Sequence, residues 1–201
     1  SYMALARITP ESKDIEKKLI EFAKSGTKDT REAAAVGLGR INSEGAQLAL
    51  RELRNSNQPS VQLAALGSEV GLGLAESRDK LIEIILNGKG LDPTVAAASI
   101  RRMPYDVAVS ITTELIDCCE LNSEVGARLL EAWAELGNPT KKILDLGLNH
   151  YNPDIKMQAV WLIGSLNISA YTEPLIKELE SDDSGIATMA AWSLLRIISD
   201  V

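Results

Sequence analysis

The feature that most constrains this sequence is a short helical pattern that recurs about every 31 residues. Six segments each place an aliphatic residue or a threonine shortly after an Asp, Asn, Ser or Thr, and small residues follow at helical spacing. We call the aliphatic residue or threonine of each segment its anchor. The anchors are Thr30, Val61, Val95, Val125, Ile155 and Ile186, at intervals of 31, 34, 30, 30 and 31 residues. A regular period of this length is typical of repeat proteins, in which each unit packs against the next.

The positions that follow the anchors indicate one buried stripe on each helix. Offsets of four, eight and eleven residues fall on one face of an α-helix, so we predict a helix at every anchor with that face in the core. Residues at offset four are mostly small, and residues at offset eleven are aliphatic in all but one segment. They are Ala34, Ala65, Ser99, Leu129, Ala159 and Ala190, and Ile41, Leu72, Asp106, Leu136, Leu166 and Ile197.

A second set of helix-like segments lies between these helices. Capping residues and prolines, as in Asp92-Pro93 and Asn152-Pro153, mark where the anchor-bearing helices begin. The intervening helices are predicted at 10–23, 43–53, 78–86, 107–119, 140–148 and 171–179, and the sequence has no useful run of alternating strand pattern. We therefore predict an all-α fold, an α–α superhelix (solenoid) of about six helical hairpins with a period of about 31 residues.

Two segments resemble a known family. Residues 30–41, TREAAAVGLGRI, resemble the second helix of the short HEAT-like repeats named after phycobilisome lyases, and residues 173–179, EPLIKEL, resemble their first helix. The resemblance covers essentially the whole chain. It implies a single HEAT-like repeat domain over residues 1–201 whose second helices line a concave face. Such repeats occur in scaffolds, adaptors, regulatory subunits and a few enzymes, so the resemblance is unspecific for function.

The third repeat and the two ends depart from the regular pattern. Arg102 occupies a usually small position, and Pro104 is expected to end its helix early, so we predict a break at residues 101–105. Residues 1–8 resemble the tail of another second helix. We therefore expect a fragment of a longer array, or ends covered by a partner or by end-to-end self-association.

Charge and cysteine usage limit the partners and the location. The chain has 28 acidic and 21 basic residues, a net charge of −7, which disfavours nucleic acid and anionic membrane surfaces as partners. No apolar run reaches the length of about 18 residues that a membrane span needs. Because the adjacent Cys118 and Cys119 cannot readily pair with each other, we expect a cytoplasmic protein.

Residue patterns with catalytic or metal-binding chemistry are scarce. His150 is the only histidine, and no Gly-x-Ser-x-Gly motif of a hydrolase accompanies it. Paired Cys or His motifs of a metal site do not occur, and no Gly-Lys-Ser/Thr of a phosphate-binding loop follows the Gly-x-Gly pairs. We predict no catalytic residue, metal or cofactor, and the sequence favours a non-enzymatic role.

One row of residues is expected to form a binding surface. It lies six residues beyond the anchors and comprises Val36, Gly67, Arg101, Glu131, Trp161 and Trp192. Apolar patches with aromatic residues are typical of interaction sites, although both tryptophans could instead belong to the core, as we expect for Trp133 at offset eight. The predicted partner-binding residues are Met157, Val160, Trp161, Trp192, Leu195, Arg101 and Glu131, with a weaker second patch of Leu63, Leu66 and Val70.

These observations favour a non-catalytic scaffold or regulatory module. Its partner would be a protein, bound as a helix or an extended segment along the concave face. The alternative, which only the family resemblance suggests, is a bilin or phycobiliprotein lyase-like protein that handles a chromophore. Nucleic-acid recognition, which occurs in HEAT-like DNA glycosylases, is disfavoured because residues such as Arg101 and Arg102 alternate with Glu131 and Glu135.

Overall fold

The protein folds as an all-α chain in a computed structural model that describes residues 9–88, 90–118, 121–137 and 140–199. The predictions for residues 1–8 and for Cys119 lie outside these ranges. Within them there is no β-strand, and no helix has the length and apolar character to cross a membrane. The helices are α1 (Lys13–Ser25), α2 (Lys28–Leu38), α3 (Glu44–Arg54), α4 (Pro59–Gly71), α5 (Ala75–Asn87), α6 (Pro93–Ala98), α7 (Tyr105–Ile116), α8 (Ser123–Ala134), α9 (Lys141–Leu148), α10 (Pro153–Ser165), α11 (Thr172–Glu178) and α12 (Ser184–Ser199), with 3₁₀ turns at Ser99–Arg102 and Ser169–Tyr171.

The even-numbered helices carry the anchors and are the second helices of successive pairs. They begin at residues 28, 59, 93, 123, 153 and 184, so their starts differ by 31, 34, 30, 30 and 31 residues. Each anchor is therefore the third residue of its helix. The side chains that cap these helices accept hydrogen bonds from backbone N–H groups of the first turn, and they are Thr27, Asp92, Asn122, Asn152 and Asp183.

Burial follows the repeat closely at two offsets and less closely at the others. All six residues at offset four are buried, and so are all six at offset eight, where five apolar side chains and one glutamate occur. The anchor Val95, in contrast, is 47% exposed, and Leu166 at offset eleven is also exposed. The residues at offset eight are Leu38, Glu69, Met103, Trp133, Ile163 and Leu194.

The chain divides into two compact units, residues 1–107 and 108–201. In unit 1, α2 packs against α1, α3 and α4, and α4 in turn contacts α5 and the turn Ser99–Arg102. In unit 2, α10 packs against α8, α9 and α12, and α12 also contacts α11. Second helices thus contact the next second helix in three cases, α2 with α4 in unit 1 and α8 with α10 and α10 with α12 in unit 2. A single domain over the whole chain stays a prediction.

Helix α6, the second helix of the third repeat, is shorter than the other second helices, as its sequence indicates. Helix α6 has six residues and continues as the 3₁₀ turn Ser99–Arg102, after which Met103 adopts an extended conformation. Pro104 follows, and α7 begins at Tyr105. The helix of the third repeat thus ends early, as predicted, and Pro104 disfavours helical structure at the preceding Met103. A kink or break of the repeat array at residues 101–105 stays a prediction.

The same close contact between second helices occurs once in each unit. A Cβ atom on Gly39 of unit 1 would lie 2.6 Å from Ser68 Cβ, and one on Gly164 of unit 2 would lie 2.6 Å from Ser193 Cβ. In both cases the glycine is nine residues beyond its anchor and the serine is seven beyond the next. Glycine is needed at these two positions because the neighbouring backbone approaches closely.

Candidate partner-binding surfaces

The side chains six residues beyond the anchors differ in exposure along the row. Gly67 is buried, whereas Arg101 and Trp192 are exposed and the other three are half-buried. Neither Trp161 nor Trp192 belongs to the core, which decides between the two interpretations that the sequence left open. Trp133, at offset eight, is buried as expected.

Four of the predicted partner-binding residues are accessible apolar side chains of unit 2. We call this set the tryptophan face, and it comprises Met157 and Trp161 on α10 and Trp192 and Leu195 on α12. Trp192 is 38% exposed and Leu195 is 65% exposed, while Met157 and Trp161 are half-buried. The guanidinium carbon of Arg196 lies 5.7 Å from the centre of the Trp192 ring, within cation–π distance.

Val160 is not part of this surface, and its prediction as a contact residue is wrong. Its side chain is fully buried, and its carbonyl oxygen accepts a hydrogen bond of 2.8 Å from Ser193 Oγ of α12. The side chain of Val160 thus lies in the interior of unit 2, and its backbone contacts α12. The weaker patch predicted in unit 1 is wrong for the same reason, since its members are all buried: Leu63, Leu66 and Val70.

Glu131 of unit 2 is half-buried and uses both carboxylate oxygens within the protein. Its Oε2 atom lies 2.6 Å from Arg128 Nη1, and its Oε1 atom accepts a hydrogen bond of 3.2 Å from Gln158 Nε2 of α10. This arrangement ties α8 to α10. A partner that used Glu131 would compete with both of these bonds.

A cleft of about 500 Å³ lies on the second helices of unit 1. It includes the predicted residue Arg101 together with two arginines and two carboxylates that the sequence did not group as a site. We call it the arginine cleft, and it is lined by Asp29, Glu32, Ala33, Val36, Arg40, Arg101 and Arg102. Three guanidinium groups thus face two carboxylates around a small apolar surface.

Two polar contacts hold the arginine cleft together. Arg102 Nη1 forms an ion pair of 3.1 Å with Glu32 Oε1, and Arg40 Nη2 donates a hydrogen bond of 3.3 Å to the carbonyl oxygen of Arg102. Both contacts join the region of α2 to the turn Ser99–Arg102. The cleft is therefore bridged by residues more than sixty positions apart in the sequence.

His150 lies at a different cavity, in unit 2, and is buried. This cavity of about 730 Å³ also receives Lys141, Lys142, Asp117 and Asp145. The Nδ1 atom of His150 accepts a hydrogen bond of 3.0 Å from the backbone N–H of Asn152, and burial lowers the pKa of the imidazole. The ring is thus neutral at pH 7. It binds the backbone of Asn152, the residue that caps the N-terminus of α10.

We expect acid to weaken unit 2 through His150. Because its pKa is lowered in the folded protein, the unfolded state binds a proton first as the pH falls below about 6.5, and the free energy of unfolding decreases. Urea unfolding of the wild type at pH 7.5 and 5.5 measures this decrease. His150→Gln should lose most of it, since the hydrogen bond from Lys141 holds the pKa of Asp145, in the same cavity, below its usual value. An equal decrease in the variant would contradict the assignment.

The described part of the chain contains no group of three or more His, Cys, Asp or Glu side chains that could hold a metal ion. Cys118 is half-buried and has a free thiol. Of the acidic pair at residues 182 and 183, Asp183 caps α12 by accepting hydrogen bonds from the N–H groups of Gly185 and Ile186. This carboxylate therefore has a structural role.

Comparison with known proteins yields engineered proteins as structural neighbours. No protein-family model matches the chain, and no curated protein matches it. One engineered protein of known crystal structure is 21% identical, with a TM-score of 0.39 and coverage of 94% of this chain and 98% of its own. Two others are 19% identical with TM-scores of 0.37, and the matches cover 92% of this chain and 58% and 98% of theirs. At this level of similarity the comparisons assign neither a family nor an activity.

Proposed function

We propose that the chain is a non-catalytic protein-interaction module. It would be a solenoid of HEAT-like repeats that binds a helix or an extended segment of a protein partner on the side of its second helices. The observation that carries the proposal is the tryptophan face, where α10 and α12 present aromatic and aliphatic side chains to solvent. The proposed function includes a cytoplasmic location, which we infer from the free thiol of Cys118.

The repeat pattern supports this choice of surface. Side chains four and eight residues beyond the anchors are buried in all six repeats. A residue at offset six points away from that buried stripe, because successive residues of an α-helix are rotated by about 100°. Five of the six repeats therefore carry an exposed or half-buried side chain at offset six, and in unit 2 two of these side chains are tryptophans.

The chemistry of the tryptophan face also suits a protein partner. Removal of apolar surface from water is favourable by about 25 cal/mol per Å², and tryptophan is common among interface residues whose truncation costs about 2 kcal/mol or more. The cation–π contact with Arg196 restricts the Trp192 indole before a partner arrives. A side chain that is already restricted loses less conformational entropy on binding.

We expect the double replacement of Trp192 and Leu195 by alanine to weaken partner binding about 30-fold or more, which corresponds to about 2 kcal/mol. Peptide ligands would be selected from a random library on the wild-type protein, and their dissociation constants measured for wild type and variant. The matched control is Ile176→Ala, because Ile176 is 45% exposed on α11 of the same unit. Selected peptides that bind the double variant as tightly as the wild type would refute the proposal.

A further inference from the structure

The arginine cleft concentrates positive charge in a chain that is acidic as a whole. Three guanidinium groups and two carboxylates line it, a local balance of +1, whereas the chain carries a net charge of −7. Arg102 is still 40% exposed in its side chain although it pairs with Glu32. The cleft is thus a place where an anionic group would meet an attractive local field.

Helix α4 lies between the two walls of the cleft, since it contacts both α2 and the turn Ser99–Arg102. Adjacent packed helices are about 8–10 Å apart, so the two walls would be separated by roughly twice that distance in a flat array. The ion pair between Arg102 and Glu32 nevertheless connects them. The long side chains of these two residues thus reach across α4.

The internal contacts of the cleft orient Arg40 and Arg102, and each of these contacts uses one of the donors of a guanidinium group. A guanidinium group has five N–H donors in a planar fork that matches a carboxylate. Within the described residues, Arg102 directs Nη1 to Glu32, and Arg40 directs Nη2 to the carbonyl oxygen of Arg102. Each of these side chains is thus held in place before a ligand arrives. Such preorganisation favours binding because less side-chain freedom is lost.

We propose that the arginine cleft binds a carboxylate of the partner polypeptide, with Arg101 and Arg102 as its ligands and with Ala33 and Val36 receiving an adjacent apolar side chain. This inference rests on the proposed function, in that the ligand is a polypeptide. A nucleic acid fits less well, because its continuous phosphates would also meet Asp29 and Glu32. A single carboxylate beside an apolar residue avoids this repulsion and can be held by two N–H groups of one guanidinium.

Calorimetric titration with short synthetic peptides tests the proposal. The first peptide alternates Glu and Leu and has blocked ends, the second replaces every Glu by Gln, and the third is the Gln–Leu peptide with a free C-terminal carboxylate. We expect the uncharged blocked peptide to bind at least about tenfold more weakly than the better of the other two. Preference for the first identifies a side-chain carboxylate, and preference for the third identifies a chain terminus.

Substitutions in unit 1 test whether the peptide binds in the arginine cleft. Arg101→Gln should reduce the affinity for the preferred peptide about tenfold or more, and Arg102→Gln should do the same. Arg51→Gln is the matched control, because Arg51 is exposed on α3 of the same unit and does not line the cleft. Circular dichroism checks that both variants remain folded, which we expect because an exposed ion pair contributes little to stability.

The outcomes separate this inference from the proposed function. Equal binding of the charged and uncharged peptides, no binding of any peptide, or unchanged affinity in both arginine variants would overturn the carboxylate site. So would tighter binding of a short oligothymidylate that the arginine variants abolish. Peptides selected by way of Trp192 and Leu195 would leave the proposed function intact in each of these cases. The Trp192 and Leu195 double variant should bind the preferred carboxylate peptide like the wild type.

Discussion

Replacing Arg54 by methionine should lower the free energy of unfolding by about 3 kcal/mol. The reason is Glu69, whose side chain is completely buried on α4. Its Oε2 atom lies 3.2 Å from Arg54 Nη1 and accepts a hydrogen bond of 2.7 Å from Ser77 Oγ. Without the guanidinium group, the carboxylate keeps the desolvation penalty of burial and loses its opposite charge. Urea unfolding monitored by circular dichroism measures the change.

A second replacement shows whether the buried charge is the cause. Glu69 lies at offset eight, where the other five repeats carry apolar side chains. Arg54→Met combined with Glu69→Leu should therefore recover most of the lost stability, because an apolar pair of similar volume can replace a buried ion pair. A double variant as unstable as Arg54→Met alone would show that Arg54 acts through the packing of its side-chain stem. Ser77→Ala removes the hydrogen bond that Ser77 Oγ donates to Glu69 and the one of 3.2 Å that it accepts from Arg54 Nη1, and it should cost about 1–2 kcal/mol.

Helix positions were largely predictable because local signals and the repeat period agree. Helix α9 was expected at 140–148 and is found at Lys141–Leu148, and α3 was expected at 43–53 and is found at Glu44–Arg54. In the second case Ser43 is the N-cap, whose side chain accepts a hydrogen bond from the backbone N–H of Ala46. Capping residues and apolar spacing act within one or two turns, so they can be recognised in the sequence alone.

The surface residues were harder to predict because exposure depends on the neighbouring helices. Val160 and Trp161 are adjacent and both apolar, yet only Trp161 reaches the surface, and a rotation of about 100° separates them. Residue type does not tell which of two such neighbours faces α12. The arginine cleft was missed as a unit because Glu32 and Arg102 meet across α4, and this contact depends on the packing of three helices.

Because α10 and α12 approach closely, Gly164→Ala should lower the free energy of unfolding by about 2 kcal/mol. The added Cβ atom would lie 2.6 Å from the backbone Cα of Ser193, so the two helices must move apart. This strain outweighs the gain of about 1 kcal/mol that alanine brings to a helix interior.

Gly67→Ala is the matched control for this prediction. Gly67 is also a helical glycine, but its Cβ atom would meet nothing closer than Met103 Cε at 3.6 Å. That substitution should leave the free energy of unfolding unchanged or raise it by up to about 1 kcal/mol. If both variants were equally stable in urea, the contact between Gly164 and Ser193 would not be tight in solution. A selective loss in Gly164→Ala would instead support glycine at offset nine as the residue that sets the spacing of α10 and α12.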